Sequence, residues 1–291
     1  MSTEQSYKKT SGIFTQFLNT GISLLKVLLR SKFSSNLPSA ESETCIILGN
    51  GPSLKTSFEK HSDFIAKHSL MCVNNFATTN EFEKLKPSFY AMLDPCYWID
   101  EPNEMAIKCL SSLQEKTTWK IKMLLPNQAK KSTAFNNLSK QNKNIEIVYY
   151  NYTVFKGFES VAHAFYRKNL AMPQSQNILV ACLFLGINMG FKQLYLLGAD
   201  HTWHENILVN DNSQLCLKDS HFYDNAQQLN YRLFYKDEHQ KDTFTMSEIL
   251  FTFSKIFSGY EAIKKYSETK NCKIFNASEV TFIDAFERKK L

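Results

Sequence analysis

The chain has 291 residues, with 34 basic and 28 acidic side chains, 43% hydrophobic content and 21% charge. That balance excludes intrinsic disorder and suits one large or two small domains with a sizeable core. The net charge of +6 suits an anionic partner such as a nucleotide, a phospholipid surface or an acidic glycan, and is too small to argue for nucleic acid. No uninterrupted apolar run approaches about twenty residues, which reads against an ordinary membrane span. Seven cysteines are scattered without a C-x-x-C pair, as in a reducing cytoplasm. Met1 to Gln5 lack the basic region of a signal peptide.

From Ser11 to Lys32, Ile13, Phe14, Phe17, Leu18, Ile22, Leu25, Leu28 and Leu29 recur at mostly helical intervals among Lys26, Arg30 and Lys32. The pattern predicts a basic amphipathic helix. Two surfaces could bury its apolar face: a membrane interface with anionic headgroups, or the protein's own core. Ser31 to Glu43 is serine-rich and contains Pro38, so it reads as a linker. Residues 1–35 are therefore set apart from a single α/β domain over 36–291.

Short β-rich runs then alternate with helical stretches. Strands are expected at Thr44 to Leu48, Leu70 to Val73, Ser88 to Leu93, Trp119 to Leu125, Ile145 to Tyr150, Gln193 to Leu197 and Cys272 to Phe275. Ile178 to Met189 is apolar nearly all round and reads as a buried helix. The alternation predicts an α/β fold with a mostly parallel sheet and helices on both faces. Ligands bind beyond the carboxyl ends of such strands.

The first strand runs into Gly49-Asn50-Gly51-Pro52-Ser53-Leu54. Two glycines permit a sharp turn and close ligand approach, Pro52 suits a first helical turn, and amides at the helix start could hold a phosphate. The loop lacks the third glycine of a dinucleotide fingerprint and the Gly-Lys-Ser/Thr of a P-loop. Asn74 follows the second strand and Asp94 the third, each able to bond sugar hydroxyls or base edges or simply to begin a turn. Gly198-Ala199-Asp200-His201-Thr202-Trp203-His204 follows the Gln193 to Leu197 strand, a cluster of donors, acceptors and stacking faces suited to a sugar nucleotide. His201 and His204, with Cys216, Asp219, His221 and Asp224, match neither a His-Glu-x-x-His helix nor a zinc ribbon, so no metal is expected.

Together, G-N-G-P-S-L, Asn74 and I-L-V-A-C-L-F-L-G-I-N-M-G-F-K-Q-L-Y-L-L-G-A-D resemble the bacterial sialyltransferases of glycosyltransferase family 42. They also resemble the related group of Maf-type flagellin glycosyltransferases and archaeal pterin diphosphokinase-like proteins. The resemblance covers Thr44 to Asp200 and, more loosely, N-C-K-I-F-N-A-S near the end. It implies a Rossmann-like domain with a small lid at about residues 202–241, a CMP-linked acidic sugar as donor, and inverting transfer without a metal or other cofactor. Asn50 and Asn74 match the positions that contact the nucleotide in the sialyltransferases. Asp94 and Asn177 stand where those enzymes have other residues, and look more like the Maf-type and pterin-kinase-like branch.

The implied nucleotide and donor-sugar site comprises Gly49, Asn50, Gly51, Pro52, Ser53, Asn74, Asp94, Asn177, Gly198 and Asp200. Inverting transfer needs a group to take the acceptor's proton, and a lid histidine does so in the sialyltransferases. His221, favoured because Phe222, Tyr223 and Asp224 adjoin it, His239 and His201 are the candidates. The expected activity is transfer of a sialic-acid-like sugar to a surface-polysaccharide or lipid-linked acceptor, in the cytoplasm or peripherally at the inner face of the membrane. A homo-oligomer is compatible with this reading. The alternatives are a Mg²⁺-dependent ATP diphosphotransferase of the pterin type, with Asp94 and Asp200 as ligands, and a non-catalytic nucleotide- or glycan-binding protein.

Overall fold

The computed structural model describes residues 3–33, 37–99, 102–218, 222, 231–236 and 242–291. Eight strands, β1 (Thr44–Leu48), β2 (Ser69–Val73), β3 (Phe89–Ala91), β4 (Ile121–Pro126), β5 (Ile145–Tyr150), β6 (Gln193–Leu197), β10 (Lys273–Asn276) and β11 (Glu287–Arg288), form one sheet in the order β11-β10-β6-β1-β2-β3-β4-β5. Every described pairing in it is parallel. The chain builds outward from β1 to β5, then crosses back to lay β6 on the other side of β1. The switch point of the sheet therefore lies between β1 and β6, where an open α/β sheet leaves a crevice.

Side-chain alternation explains the continuous apolar runs. Cys45 and Ile47 of β1 enter one core, and Ile46 and Leu48 enter a second core on the opposite face. Parallel strands covered on both sides read as unbroken apolar segments for this reason. The second core is closed by α2 (Leu54–Lys60), α3 (Ser62–Ala66), α4 (Glu81–Leu85), α5 (Glu104–Lys116) and α6 (Thr133–Gln141). The first is closed by α7 (Glu159–Arg167), α8 (Ile178–Met189) and α9 (Met246–Thr269). Helix α8 touches both the sheet and α9, hence its lack of a polar face. Asn177 caps its start by accepting from Val180 N at 3.1 Å.

After β6 the chain forms a short turn at Trp203–Asn206 and a small antiparallel sheet of β7 (Ile207–Val209), β8 (Leu215–Leu217) and β9 (Arg232–Leu233). This sheet lies within the stretch expected to form a lid. Cys216 is buried in it.

Helix α1 (Thr3–Arg30) departs from the sequence reading of membrane spans. Its segment Gly12–Arg30, with a mean hydropathy of 1.3, is long and apolar enough to cross a membrane by length and composition. Polar residues such as Thr20, Ser23 and Lys26 break its apolar runs along the sequence while the helix as a whole stays apolar, so a test for unbroken runs misses it. Val27 is buried in the first core, whereas Phe14, Leu28 and Leu29 are exposed.

The ends of β1 and β6 meet through glycine. A Cβ on Gly49 would lie 2.5 Å from the Gly198 carbonyl oxygen, and one on Gly198 would lie 2.6 Å from that of Gly49. Gly198 also has φ +64, a left-handed conformation that L side chains rarely adopt. Gly198→Ala is expected to destabilise the chain by about 1–3 kcal/mol through strain and backbone collision. Chemical denaturation measures this, and an unchanged midpoint would contradict the proposed backbone contact.

Candidate functional site

A cleft of 1260 Å³ opens over the carboxyl ends of the strands at the switch point. Gly49, Asn50, Gly51 and Pro52 reach it from β1, Asn74 from β2, Asp94 from β3, and Gly198, Asp200 and His201 from β6. Asn177 joins them from the start of α8. Ser53 is buried beneath the loop. The sequence-nominated binding residues thus gather at one place, with Ser53 as their support.

Three of the loop's amides are already bonded within the protein. Gly49 N–H donates to the Leu197 carbonyl and Gly51 N–H to that of Gly198, each at 2.8 Å. Ser53 N–H and Oγ–H donate to the two oxygens of Asp200 at 2.8 and 2.5 Å. Asp200 therefore takes the anion's place at the start of α2. Burial pushes its pKa up, opposed by the two bonds from Ser53.

The asparagines are differently placed. Asn50 Nδ2 donates to the Val73 carbonyl at 3.2 Å, which leaves Oδ1 buried without a hydrogen-bond partner. Asn74 Oδ1 is also buried and unpartnered. Asn74 adopts φ +50, and its carbonyl accepts from the Tyr90 hydroxyl and, at 3.2 Å, from Cys109 Sγ. The strained backbone is thus held from behind. Buried acceptors without donors cost stability, and both of these belong to residues that line the cleft.

His201 lies deeper, 7% exposed. Its Nε2 is 2.6 Å from Tyr260 Oη and 3.2 Å from Asn177 Nδ2. An amide nitrogen only donates, so Nε2 acts as an acceptor and Tyr260 donates to it. The ring stacks on Trp203 with centroids 4.3 Å apart, and Trp203 stacks on Phe253 at 5.8 Å. Burial lowers the His201 pKa to about 3. A neutral, already bonded imidazole of that basicity is a poor proton acceptor near neutral pH, so His201 fits a positioning role rather than that of the base.

His221 and His239 lie outside the described residues, as do Asp219, Tyr223 and Asp224. Phe222 is described: its N–H donates to the Asn50 carbonyl at 3.1 Å, and its ring packs on Phe58 and Phe76. His204 packs against Phe282, and no group of three or more His, Cys, Asp or Glu placed to hold a metal occurs among the described residues. Asp94 Oδ1 accepts from Cys96 N–H at 2.9 Å and begins a turn, while its side chain also lines the cleft.

Sequence reasoning missed Trp98, Gln128, Tyr152 and Arg232, which also line the cleft. They come from separate loops and the small antiparallel sheet, with no shared spacing to connect them. Tyr260, in mid-helix, was missed because helical packing and site support look alike in a sequence.

These features define an α/β protein with a ligand cleft at the switch point of a parallel sheet. The family described as "MptE-like: 6-hydroxymethylpterin diphosphokinase MptE-like" matches residues 16–206, and the chain belongs to that family. No curated protein matches. Among solved structures, a Maf glycosyltransferase from Magnetospirillum magneticum AMB-1 is similar, with 13% identity and a TM-score of 0.48 over 96% of this chain and 38% of that one. This chain thus spans less than two thirds of that protein's length.

The buried imidazole has a pH consequence. A histidine with its folded pKa near 3 and an unfolded value of about 6.5 stabilises the folded state fully above the unfolded pKa. That contribution is lost as pH falls from about 6.5 toward 3, with a slope of up to about 1.4 kcal/mol per pH unit. His201→Asn, which tolerates φ +57, is expected to flatten the decline of unfolding free energy between about pH 6 and 4. Parallel declines in the two proteins would contradict the buried neutral state.

Proposed function

We propose that the chain is a nucleotide-dependent transferase that moves a CMP-linked, sialic-acid-like sugar onto a glycan or lipid-linked acceptor. The observation that carries the reading is that Asn50 and Asn74, two residues of the cleft lining, each keep a buried side-chain oxygen without a hydrogen-bond partner. Side-chain rotation toward the cleft would let either oxygen accept from a ribose hydroxyl or an exocyclic base amine. The volume of 1260 Å³ exceeds the roughly 300–1,000 Å³ of ordinary small-ligand sites and leaves room for a second substrate.

The charge pattern supports a donor with one phosphate. Among the described lining residues, Asp94 and Asp200 are acidic and Arg232 is the single permanent cation. A triphosphate would need further positive charge. In the transfer, the acceptor oxygen attacks the anomeric carbon, the bond to the CMP phosphate breaks, and a base removes the acceptor's proton. We assign that base to His221, next in sequence to Phe222, whose N–H is bonded to the Asn50 carbonyl. His239 is the second candidate. Asn177, Tyr260 and His201 hold the wall on the α8 side.

The family's description favours one competing reading, Mg²⁺-dependent diphosphotransfer from ATP. Its metal ligands would be Asp94 and Asp200, but their fit is weak. Asp200 already accepts from Ser53 through both oxygens, and Asp94 accepts from Cys96.

Thermal stabilisation by CMP, CDP, UDP, GDP and ATP, each with and without Mg²⁺, separates the readings. CMP alone is expected to raise the melting temperature, and Asn50→Ala and Asn74→Ala each to weaken CMP binding roughly fivefold, the worth of about 1 kcal/mol. Stabilisation only by ATP with Mg²⁺ would move the assignment to diphosphotransfer. His221→Ala is expected to retain CMP stabilisation and lose turnover of a CMP-sugar. Full turnover by that variant would remove His221 as the base.

A further inference from the structure

The first helix docks by a face that mixes the apolar Phe17, Leu24 and Val27 with small polar residues, and leaves most of its apolar side chains uncovered. Thr20 Oγ1 accepts from Phe158 N–H at 3.0 Å, while Ser23 Oγ accepts from Lys156 N–H at 2.9 Å and donates to the Lys156 carbonyl at 2.8 Å. Ser31 Oγ reaches the Leu170 carbonyl at 2.6 Å. Just beyond the helix, Asn151 bonds both the N–H and the carbonyl of Lys32, at 2.7 and 2.8 Å. Gly157 permits this approach: it has φ +124, and a Cβ there would lie 2.1 Å from Thr20 Oγ1.

The other face is apolar and open. Phe14, Leu18, Ile22, Leu25, Leu28 and Leu29 are between 52% and 74% exposed. Their spacing puts them on the side of α1 turned away from Thr20, Ser23, Val27 and Ser31. Lys26 and Arg30, four residues apart and exposed, run along one edge of that apolar stripe. No acidic residue occurs between Gln5 and Ala40.

We infer that α1 is a membrane-surface helix that lies in the plane of an anionic lipid bilayer while remaining attached to the body by its opposite face. Charge complementarity selects the occupant: a basic edge beside an apolar stripe, with no carboxylate to oppose the headgroups, matches anionic lipid. The attachment selects the orientation. From Thr20 to Lys32, roughly 18 Å of chain at 1.5 Å per residue, polar bonds hold the segment along the body. A spanning helix would have to break those bonds and carry Thr20, Ser23 and Ser31 into hydrocarbon. The same loop that receives α1 carries Tyr152, whose hydroxyl donates to the Ser175 carbonyl at 2.7 Å and which lines the cleft. Membrane docking would therefore hold one wall of the cleft close to the lipid surface. The inference is independent of which nucleotide or group the cleft handles.

Co-sedimentation of the full chain with vesicles of phosphatidylcholine alone, or mixed with phosphatidylglycerol, tests it. Binding is expected on the mixed vesicles and should fall as salt rises. Leu25→Glu with Leu29→Glu should abolish binding, and Lys26→Glu with Arg30→Glu should weaken it by about tenfold or more, all with melting temperatures close to that of the unaltered chain. Salt dependence of the unaltered chain supplies a reading that needs no variant. Failure to bind mixed vesicles would overturn the inference, as would a dimer that Leu25→Glu with Leu29→Glu dissociates in place of lipid binding. Resistance of the cell-expressed chain to alkaline carbonate extraction would overturn the in-plane orientation.

Discussion

Two glycines and one carboxylate hold the ends of β1 and β6 together. The Gly49 and Gly198 backbones approach too closely for a side chain at either position, and Asp200 accepts both Ser53 donors directly below the loop. This contact sets the shape of the cleft. It consumes the amides of Gly49, Gly51 and Ser53. It also buries a carboxylate, whose desolvation is offset by the hydrogen bonds it receives.

The two sides of the cleft follow from the same constraint. On the β1 and β2 side, Asn50 and Asn74 present unmet acceptors, with Asn74 fixed by Tyr90 and Cys109 behind it. On the β6 and α8 side, the polar contacts of Asn177, His201 and Tyr260 are already satisfied by one another, and Trp203 covers the imidazole. One side holds unmet acceptors, and the other a set of side chains bonded to one another. A preorganised wall beside unmet acceptors is an arrangement that a bound nucleoside would complete.

Much of the architecture was legible because the sheet is parallel and covered on both faces. Thr44–Leu48, Ile145–Tyr150, Gln193–Leu197 and the Ile178–Met189 helix emerged with their observed bounds, since each is a predominantly apolar run set off by polar or turn-forming neighbours. Ser88 to Leu93 shortened to Phe89–Ala91 because the chain leaves the ladder before the turn that Asp94 caps. Cleft residues at strand ends were legible from their positions, whereas Tyr152 and Arg232 were not, because only tertiary folding brings them there. The internal bonds of the Gly49 to Ser53 loop were not legible for a related reason. Glycine spacing shows a tight turn, but not that a carboxylate far along the chain has already taken the helix start. The first helix was recognisable as amphipathic, yet periodicity alone does not identify which face meets the body.

The central claim is that Asn50 and Asn74 receive the nucleotide. Nuclear magnetic resonance of their side-chain amide groups during titration with CMP tests it most directly. The account predicts that both pairs of amide resonances shift and saturate together, while those of Asn188, bonded to Tyr266 and Asn169 away from the cleft, stay in place. Saturable CMP binding that leaves Asn50 and Asn74 unshifted would contradict it.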